Sequence, residues 1–207
     1  MNLPAIDMDG FEADDLIATY ARQASEEGAD VTIVSSDKDL MQLVTDRVKM
    51  LDAMKSRLIG PEQVREKFGV GPEHVVDVQA LAGDSVDNVP GVEGIGVKTA
   101  AQLINEYGDL DSLLDRAEEI TQPKRRERLI EQADMARLSR ELVKLQDKAP
   151  VECGWTSFEA KNLDPDILLP FLEQQNFQSL LSTMASRLGA KDLGTSSTID
   201  NHNPAQA

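Results

Sequence analysis

The sequence predicts an α/β part followed by an all-helical part. Three observations carry this. Over residues 1–60, short apolar runs alternate with helical periodicity in the order β-α-β-α, which indicates an α/β sheet. After Gly60, Pro61 and Pro72 each sit where a proline suits the first helical turn. The run Gly91-Val92-Glu93-Gly94-Ile95-Gly96-Val97-Lys98-Thr99 then reads as a tight glycine turn that opens another helix.

The elements follow in order. Pro4 to Met8 is a short apolar stretch with the character of a strand. A helix is expected from Ala13 to Glu27, because Leu16, Ile17, Tyr20, Ala21 and Ala24 recur at helical spacing and Gly28 stops it. Val31 to Ser35 is β-branched and continuous, as in a buried parallel strand. Leu40 to Val44 is a short helix, and Val48–Leu51 with Arg57–Ile59 forms a hairpin. Helices follow over 61–68, 72–82, 97–107 and 110–114, the third ended by Gly108. Pro123 opens a long helical region to about Gln146, broken in its middle. Residues 150–162 are irregular. Asp164 caps one further helix, with Pro165 in its first turn and an apolar face from Leu168 to Leu181. Residues 189–207 are rich in Ser, Thr, Asn and Gly without periodicity, and read as a linker or tail. The expected division is therefore 1–60 (α/β), 61–150 (helical) and 151–207 (linker, helix and tail).

Bulk composition limits the function. The 207 residues suffice for one medium domain or a domain with a tail. Aromatic residues make up only 4%, so the core must be aliphatic. The formal net charge of −16 has the wrong sign for a simple nucleic-acid binder. Either the chain is an acidic enzyme with a solvated surface, or part of the excess sits in a metal site. A single cysteine, Cys153, excludes an internal disulfide and a Cys-rich zinc site. The cysteine usage, the lack of a long apolar run and the start Met1-Asn2-Leu3-Pro4 are read as those of a cytoplasmic protein.

The acids fall in three clusters: Glu12-Ala13-Asp14-Asp15, Asp37-Lys38-Asp39 and Asp84-Ser85-Val86-Asp87. Seven carboxylates brought together would repel one another unless solvent or cations separate them. Each cluster has a plainer explanation. The first opens a helix, where the dipole favours acids. The second can cap the helix that follows, although the end of a strand in an open α/β sheet is also where ligands bind. The third can be an ordinary turn. What sharpens the third is its neighbour: Gly94 and Gly96 free backbone N–H groups to face a phosphate, and Lys98 adds a charge. Lys124, Arg125, Arg126 and Arg128 form a basic cluster, continued by Arg137, Arg140 and Lys144. They are either a solvated helix face balanced by Glu127, Glu131 and Glu141, or sequence-independent contacts to a nucleic-acid backbone. His74 and His202 lack ligand spacing.

Two other motifs resemble parts of this sequence. A Walker A loop needs adjacent Gly and Lys, whereas Val97 separates Gly96 from Lys98. Asp7-Met8-Asp9-Gly10 matches the aspartyl nucleophile of haloacid-dehalogenase-like phosphatases. That family needs a hydrophobic strand before its Gly-Asp, and residues 72–82 read instead as a helix.

Four motifs in order carry a resemblance: Phe11 to Thr19, Ser35 to Leu40, Gly83 to Gly91, and the Gly94-to-Ala100 turn. Together they resemble the 5′-nuclease domain of the bacterial DNA polymerase I type, in the flap-endonuclease family. The resemblance runs from about Leu3 to Val151. It implies a partial PIN-like parallel sheet followed by a helix-three-turn-helix region whose glycine turn is a helix-hairpin-helix. It also implies that Glu12, Asp14, Asp15, Asp37, Asp39, Asp84 and Asp87 hold metal and serve catalysis. Two Mg²⁺ ions about 4 Å apart would act on the phosphodiester, Mn²⁺ being an alternative. Gly91, Gly94, Gly96, Lys98 and Thr99, with Lys124, Arg125 and Arg126, would hold duplex DNA independently of sequence, with K⁺ at the hairpin. The substrate implied is DNA with a 5′ flap or 5′ end, cut during primer removal and repair in a bacterial, nucleoid-associated setting. The family begins with a longer segment bearing a first-strand Asp, a second Asp and a basic arch. The chain is therefore expected to be an internal, monomeric piece of a protein that also carries proofreading and polymerase domains. The alternative reading is a duplex-binding piece without catalysis.

Overall fold

The computed structural model describes residues 4–189. The chain divides into two compact units, one of residues 7–157 and the other built mainly from residues after 157.

In the first unit, helix α1 (Ala13–Glu26) buries Leu16, Ala18, Thr19, Ala21 and Ala24 along one face. Gly28, at φ +90°, turns the chain into strand β1 (Val31–Val34). A 3₁₀ turn (Asp39–Leu43) leads to strand β2 (Val48–Asp52), which hairpins into β3 (Arg57–Ile59). The sheet order is β1-β2-β3: β1 and β2 are parallel, with Val31 opposite Val48, and β2 and β3 are antiparallel, with Met50 opposite Ile59. Asp52 fixes the hairpin by accepting the N–H groups of Met54 and Lys55, both at 3.1 Å.

Two expectations fail here. Residues 4–8 form no strand; Pro4 lacks an N–H, and these residues pair with no strand among those described. β1 is parallel as expected but not fully buried: Ile33 is buried and Val31 packs partly against the core, while Thr32 is exposed and Val34 is 65% exposed. β1 is an outer strand among the described residues, and successive side chains alternate between its faces, so Val31 and Ile33 take the core side and Thr32 and Val34 the other.

The helical part follows. Helix α2 (Pro61–Phe68) ends at Gly69 in the left-handed region. A 3₁₀ turn (Pro72–His74) runs into α3 (Val75–Ala82). Then come α4 (Val97–Tyr107), α5 (Leu110–Asp115), a 3₁₀ turn (Ala117–Glu119), α6 (Pro123–Glu131) and α7 (Ala133–Val143). The break expected in the long helical region falls at Gln132. The core joins both parts: Met50, Val64, Leu81, Ile104, Leu113 and Leu129 belong to one buried aliphatic cluster. Each such side chain contributes roughly 1.5–3 kcal/mol by leaving water.

In the second unit, Asp164 accepts the N–H of Asp166 and starts α8 (Pro165–Gln174). The single helix expected there is two. Asn176 takes φ +61°, and α9 (Gln178–Gly189) starts anew. The tail beyond 189 lies outside the described residues, apart from Gly189, which closes α9.

Candidate metal and nucleic-acid site

Three separate segments deliver the acids. Asp14 and Asp15 lie in the first turn of α1, after Glu12 at its N-cap. Asp37 and Asp39 follow the carboxyl end of β1. Asp84 and Asp87 lie just past α3, beyond Gly83. The segments converge electrostatically. The carboxyl of Asp14 is pushed above the usual range, first by burial and then by the charges of Asp37, Asp39, Glu12 and Asp15. Asp39 is also raised, first by burial and further by Asp37 and Asp87. A hydrogen bond from Gln79 and the charge of Lys38 oppose that rise.

Several of these carboxylates already have partners. Asp15 accepts the N–H of Gln146 at 2.8 Å and that of Glu12 at 3.2 Å, tying α1 to the chain beyond α7. Asp37 accepts the N–H of Asp39 at 3.0 Å and so shapes the 3₁₀ turn. Asp39 accepts the side-chain amide of Gln79, a buried residue of α3 whose Oε1 has no hydrogen-bond partner. Asp84 is ion-paired with Lys38, and its second oxygen accepts the N–H of Val86 at 2.8 Å. Asp87 and Glu12 are exposed.

As donors, these groups suit a hard divalent ion, because all are carboxylate oxygens. As placed, no three Asp, Glu, His or Cys side chains among the described residues stand together closely enough to hold one. Lys38, Gln79 and the N–H groups of Gln146 and Glu12 hold oxygens of Asp84, Asp39 and Asp15 respectively. Lys38 and Gln79 are neighbours of the acids that the sequence motifs do not mark. Their partners lie 46 and 40 residues away, and no local pattern marks that pairing. Beside the acids, Ser36, Lys55, Arg57, Gln63 and Lys67 line a cleft of about 390 Å³. The Lys67 ammonium is held below its ordinary value, first by burial and then by Lys38 and Lys55, against Asp37 and Asp39.

The glycine turn is a supported hairpin. Asp84 and Val89 exchange backbone hydrogen bonds at 2.9 and 2.8 Å, closing the acid loop. Gly91, at φ +63°, lies so close to Gly83 that a Cβ would run into the Gly83 backbone. Its N–H donates to the buried Ser139 hydroxyl on α7 at 3.0 Å. The Glu93 N–H donates to Gln132 at 2.9 Å, and Arg128 binds both the Glu93 carbonyl (2.9 Å) and its carboxylate (2.8 Å). Gly94, at φ +76°, lies against the Arg128 side chain. Gly96 is the N-cap of α4, with open space where a Cβ would stand. Lys98 is exposed and Thr99 half-buried in the first turn of α4. Gly91 is thus a packing glycine at the back of the turn, and Gly96, Lys98 and Thr99 form its front. Lys124, Arg125 and Arg126 occupy the first turn of α6. Arg126 donates to the Ile120 carbonyl (3.3 Å) and Arg125 to Gln122 (3.2 Å), while Lys124 is exposed.

Comparison with known proteins now decides the family. Residues 1–69 match the family of the 5′-3′ exonuclease N-terminal resolvase-like domain. Residues 70–166 match that of the 5′-3′ exonuclease C-terminal SAM fold. The chain belongs to the 5′-3′ exonuclease family. DNA polymerase I of Rhizobium leguminosarum is 56% identical over 184 residues, which is 89% of this chain and 18% of that protein. DNA polymerase I of Thermus aquaticus is 40% identical over 183 residues, 87% of this chain and 21% of that protein. The chain thus spans about a fifth of the length of the curated relatives it matches. Among solved structures, bacteriophage T5 5′-exonuclease with divalent zinc ions superposes with a TM-score of 0.65 at 28% identity, over 69% of this chain and 53% of that one. The catalytic core of Rad2 with DNA substrate, at 15% identity and a TM-score of 0.52, shares the fold over 80% of this chain and 58% of that one. The phosphatase alternative falls with this assignment. Asp7 follows no strand, and residues 75–82 are helical.

Proposed function

We propose that the chain is a metal-dependent 5′-nuclease module that hydrolyses DNA phosphodiesters at 5′ ends and flaps, in primer removal and repair. The observation that carries this reading is that acids of three segments feel one another: beyond the effect of burial, Asp37 and Asp39 bear on Asp14, and Asp87 bears on Asp39. α1, the loop after β1 and the loop after α3 therefore lie within electrostatic reach of one another. Such a knot of carboxylates calls for cations. Divalent metal, when bound, supplies Lewis-acid stabilisation and a hydroxide-like water at neutral pH. The T5 relative's crystals with zinc, and those of a T5 flap endonuclease with DNA and metal ions, support the same reading.

In this reading Asp14, Asp37, Asp39, Asp84 and Asp87 are the metal ligands, with Mg²⁺ as the working pair of ions and Mn²⁺ as a substitute. Glu12 joins them from the rim. Asp15 holds α1 in place through Gln146 and borders the site. The front of the hairpin (Gly96, Lys98, Thr99), with Gly94 beside it, takes backbone phosphates of the duplex, with Gly91 setting the turn behind it and K⁺ held at the hairpin. Lys124, Arg125 and Arg126 extend the grip. Backbone phosphates are the same at every step, so binding is independent of sequence. The module acts as a monomer within a cytoplasmic, nucleoid-associated bacterial polymerase that also bears proofreading and polymerase domains.

The test is a labelled 5′-flap duplex incubated with the purified chain and Mg²⁺. Cleavage is expected, and Asp84→Ala with Asp87→Ala should abolish it while keeping the duplex bound. Undiminished cutting by the double variant would refute the assignment. A band shift without cleavage by the parent chain favours a duplex-binding module instead.

A further inference from the structure

We propose that Lys38 is a tethered counter-cation of the acid cluster, an ammonium that a divalent ion must displace from Asp84 for the site to load. The inference rests on the metal-binding reading above. Lys38 stands between Asp37 and Asp39 at the start of the 3₁₀ turn. Its ammonium crosses to Asp84, in a loop 46 residues further on. The Asp84 side chain is only 6% exposed, and its other oxygen is taken by the Val86 N–H. The oxygen paired with Lys38 is therefore the one left to offer an ion. An ammonium and a divalent cation cannot share it, because two like charges would be forced together in a poorly solvated place.

Lysine suits this role. It is a compact charge on a flexible four-carbon stem, able to withdraw without moving the backbone. The Lys38 side chain is 35% exposed, so it has solvent to withdraw into. While in place it performs two tasks. It keeps the buried Asp84 from being an unpaired charge, which would be costly. It also bears on Asp39, offsetting the repulsion from Asp37 and Asp87. Metal affinity is thereby reduced by the fraction of molecules in which Lys38 occupies Asp84.

The experiment is a Mg²⁺ titration of thermal stability, without DNA, on the full chain and its Lys38→Met and Lys38→Arg variants. Lys38→Met should melt lower than the parent without metal, and reach half-saturation at about tenfold less Mg²⁺, the equivalent of one hydrogen bond to a charged group. Lys38→Arg, which keeps the charge, should need at least as much Mg²⁺ as the parent. Equal midpoints in all three proteins would make Lys38 a structural tie and overturn the proposal, while leaving the metal reading intact. A weaker Mg²⁺ response in Lys38→Met would also overturn it. No stabilisation of any of the three would defeat the metal reading itself. Should Lys38→Met not fold, amine acetylation of the parent chain read by mass spectrometry gives the answer. Lys38 should be protected without metal and several-fold more reactive at saturating Mg²⁺, and unchanged reactivity would sink the idea.

Discussion

At the scale of single residues, the candidate site is a set of carboxylates held against their own repulsion, and Asp14 shows the consequence most directly. Its folded pKa lies above the unfolded value because burial and the charges of Asp37 and Asp39 disfavour the anion. For such a group the stabilising contribution is fully present below the unfolded pKa, near 3.9, and is lost as pH rises through the folded value. Metal-free protein at pH 7 therefore carries a cost that Asp14→Asn removes. The expected outcome in EDTA is a melting temperature a few degrees higher than that of the parent at pH 7, with the difference vanishing near pH 4. The same variant should lose part of the stabilisation by Mg²⁺. A melting temperature that falls at pH 7 would show that Asp14 contributes a needed contact instead. The three acidic segments were legible in the sequence as motifs, whereas the bearing of Asp37 and Asp39 on Asp14, and of Asp87 on Asp39, follows from the fold. Lys38 and Gln79 were not legible as partners of Asp84 and Asp39. Their role depends on which loops fold over which, a fact of tertiary packing that neighbouring residues do not encode.

At the scale of elements, the hairpin between α3 and α4 has a back and a front that call for opposite mutational outcomes. At the back, Gly91 combines φ +63° with direct approach to the Gly83 backbone, so Gly91→Ala meets both strain and collision. A loss of at least about 1–3 kcal/mol is expected from the backbone strain alone, seen as a lower urea midpoint. At the front, Gly96 has φ −96° and empty space at the Cβ position, so Gly96→Ala should leave the midpoint unchanged. If a phosphate approaches that backbone, the added methyl weakens duplex binding without unfolding anything. Lys98→Ala should weaken binding to all sequences alike and reduce the salt slope by about 1. An unchanged slope would make the turn merely structural. Element boundaries followed the punctuation: Gly28, Pro61, Gly69, Gly108 and Pro123 each mark an observed end or start. The failures came where punctuation was absent or a partner was needed. Asn176 is a residue that tolerates the left-handed conformation, but no glycine or proline stands beside it to mark a break, and residues 4–8 have strand character but no ladder to join among the described residues.

At the scale of the whole molecule, a chain of net charge −16 is proposed to hold a polyanion. Charge distribution makes this feasible. The exposed Lys98 and Lys124 lie in the hairpin and α6, while the acids of α1 and of the loops after β1 and α3 concentrate negative charge where the scissile phosphate would have to approach. The two regions should respond to salt in opposite directions. Monovalent salt weakens the basic contacts by competing for phosphate. Divalent ions at the acid cluster remove repulsion instead, so Mg²⁺ added at constant ionic strength should raise duplex affinity. A catalytically inert duplex without a free 5′ end isolates binding from cutting, and fluorescence anisotropy reads it. The Asp84→Ala, Asp87→Ala double variant carries two fewer negative charges in the cluster. It should bind this duplex more tightly than the parent without divalent ions, by several-fold at low salt, and gain less from Mg²⁺. If both proteins bind equally at every Mg²⁺ concentration, the acid cluster lies away from the path of the DNA. The hairpin would then hold a duplex that the carboxylates never touch.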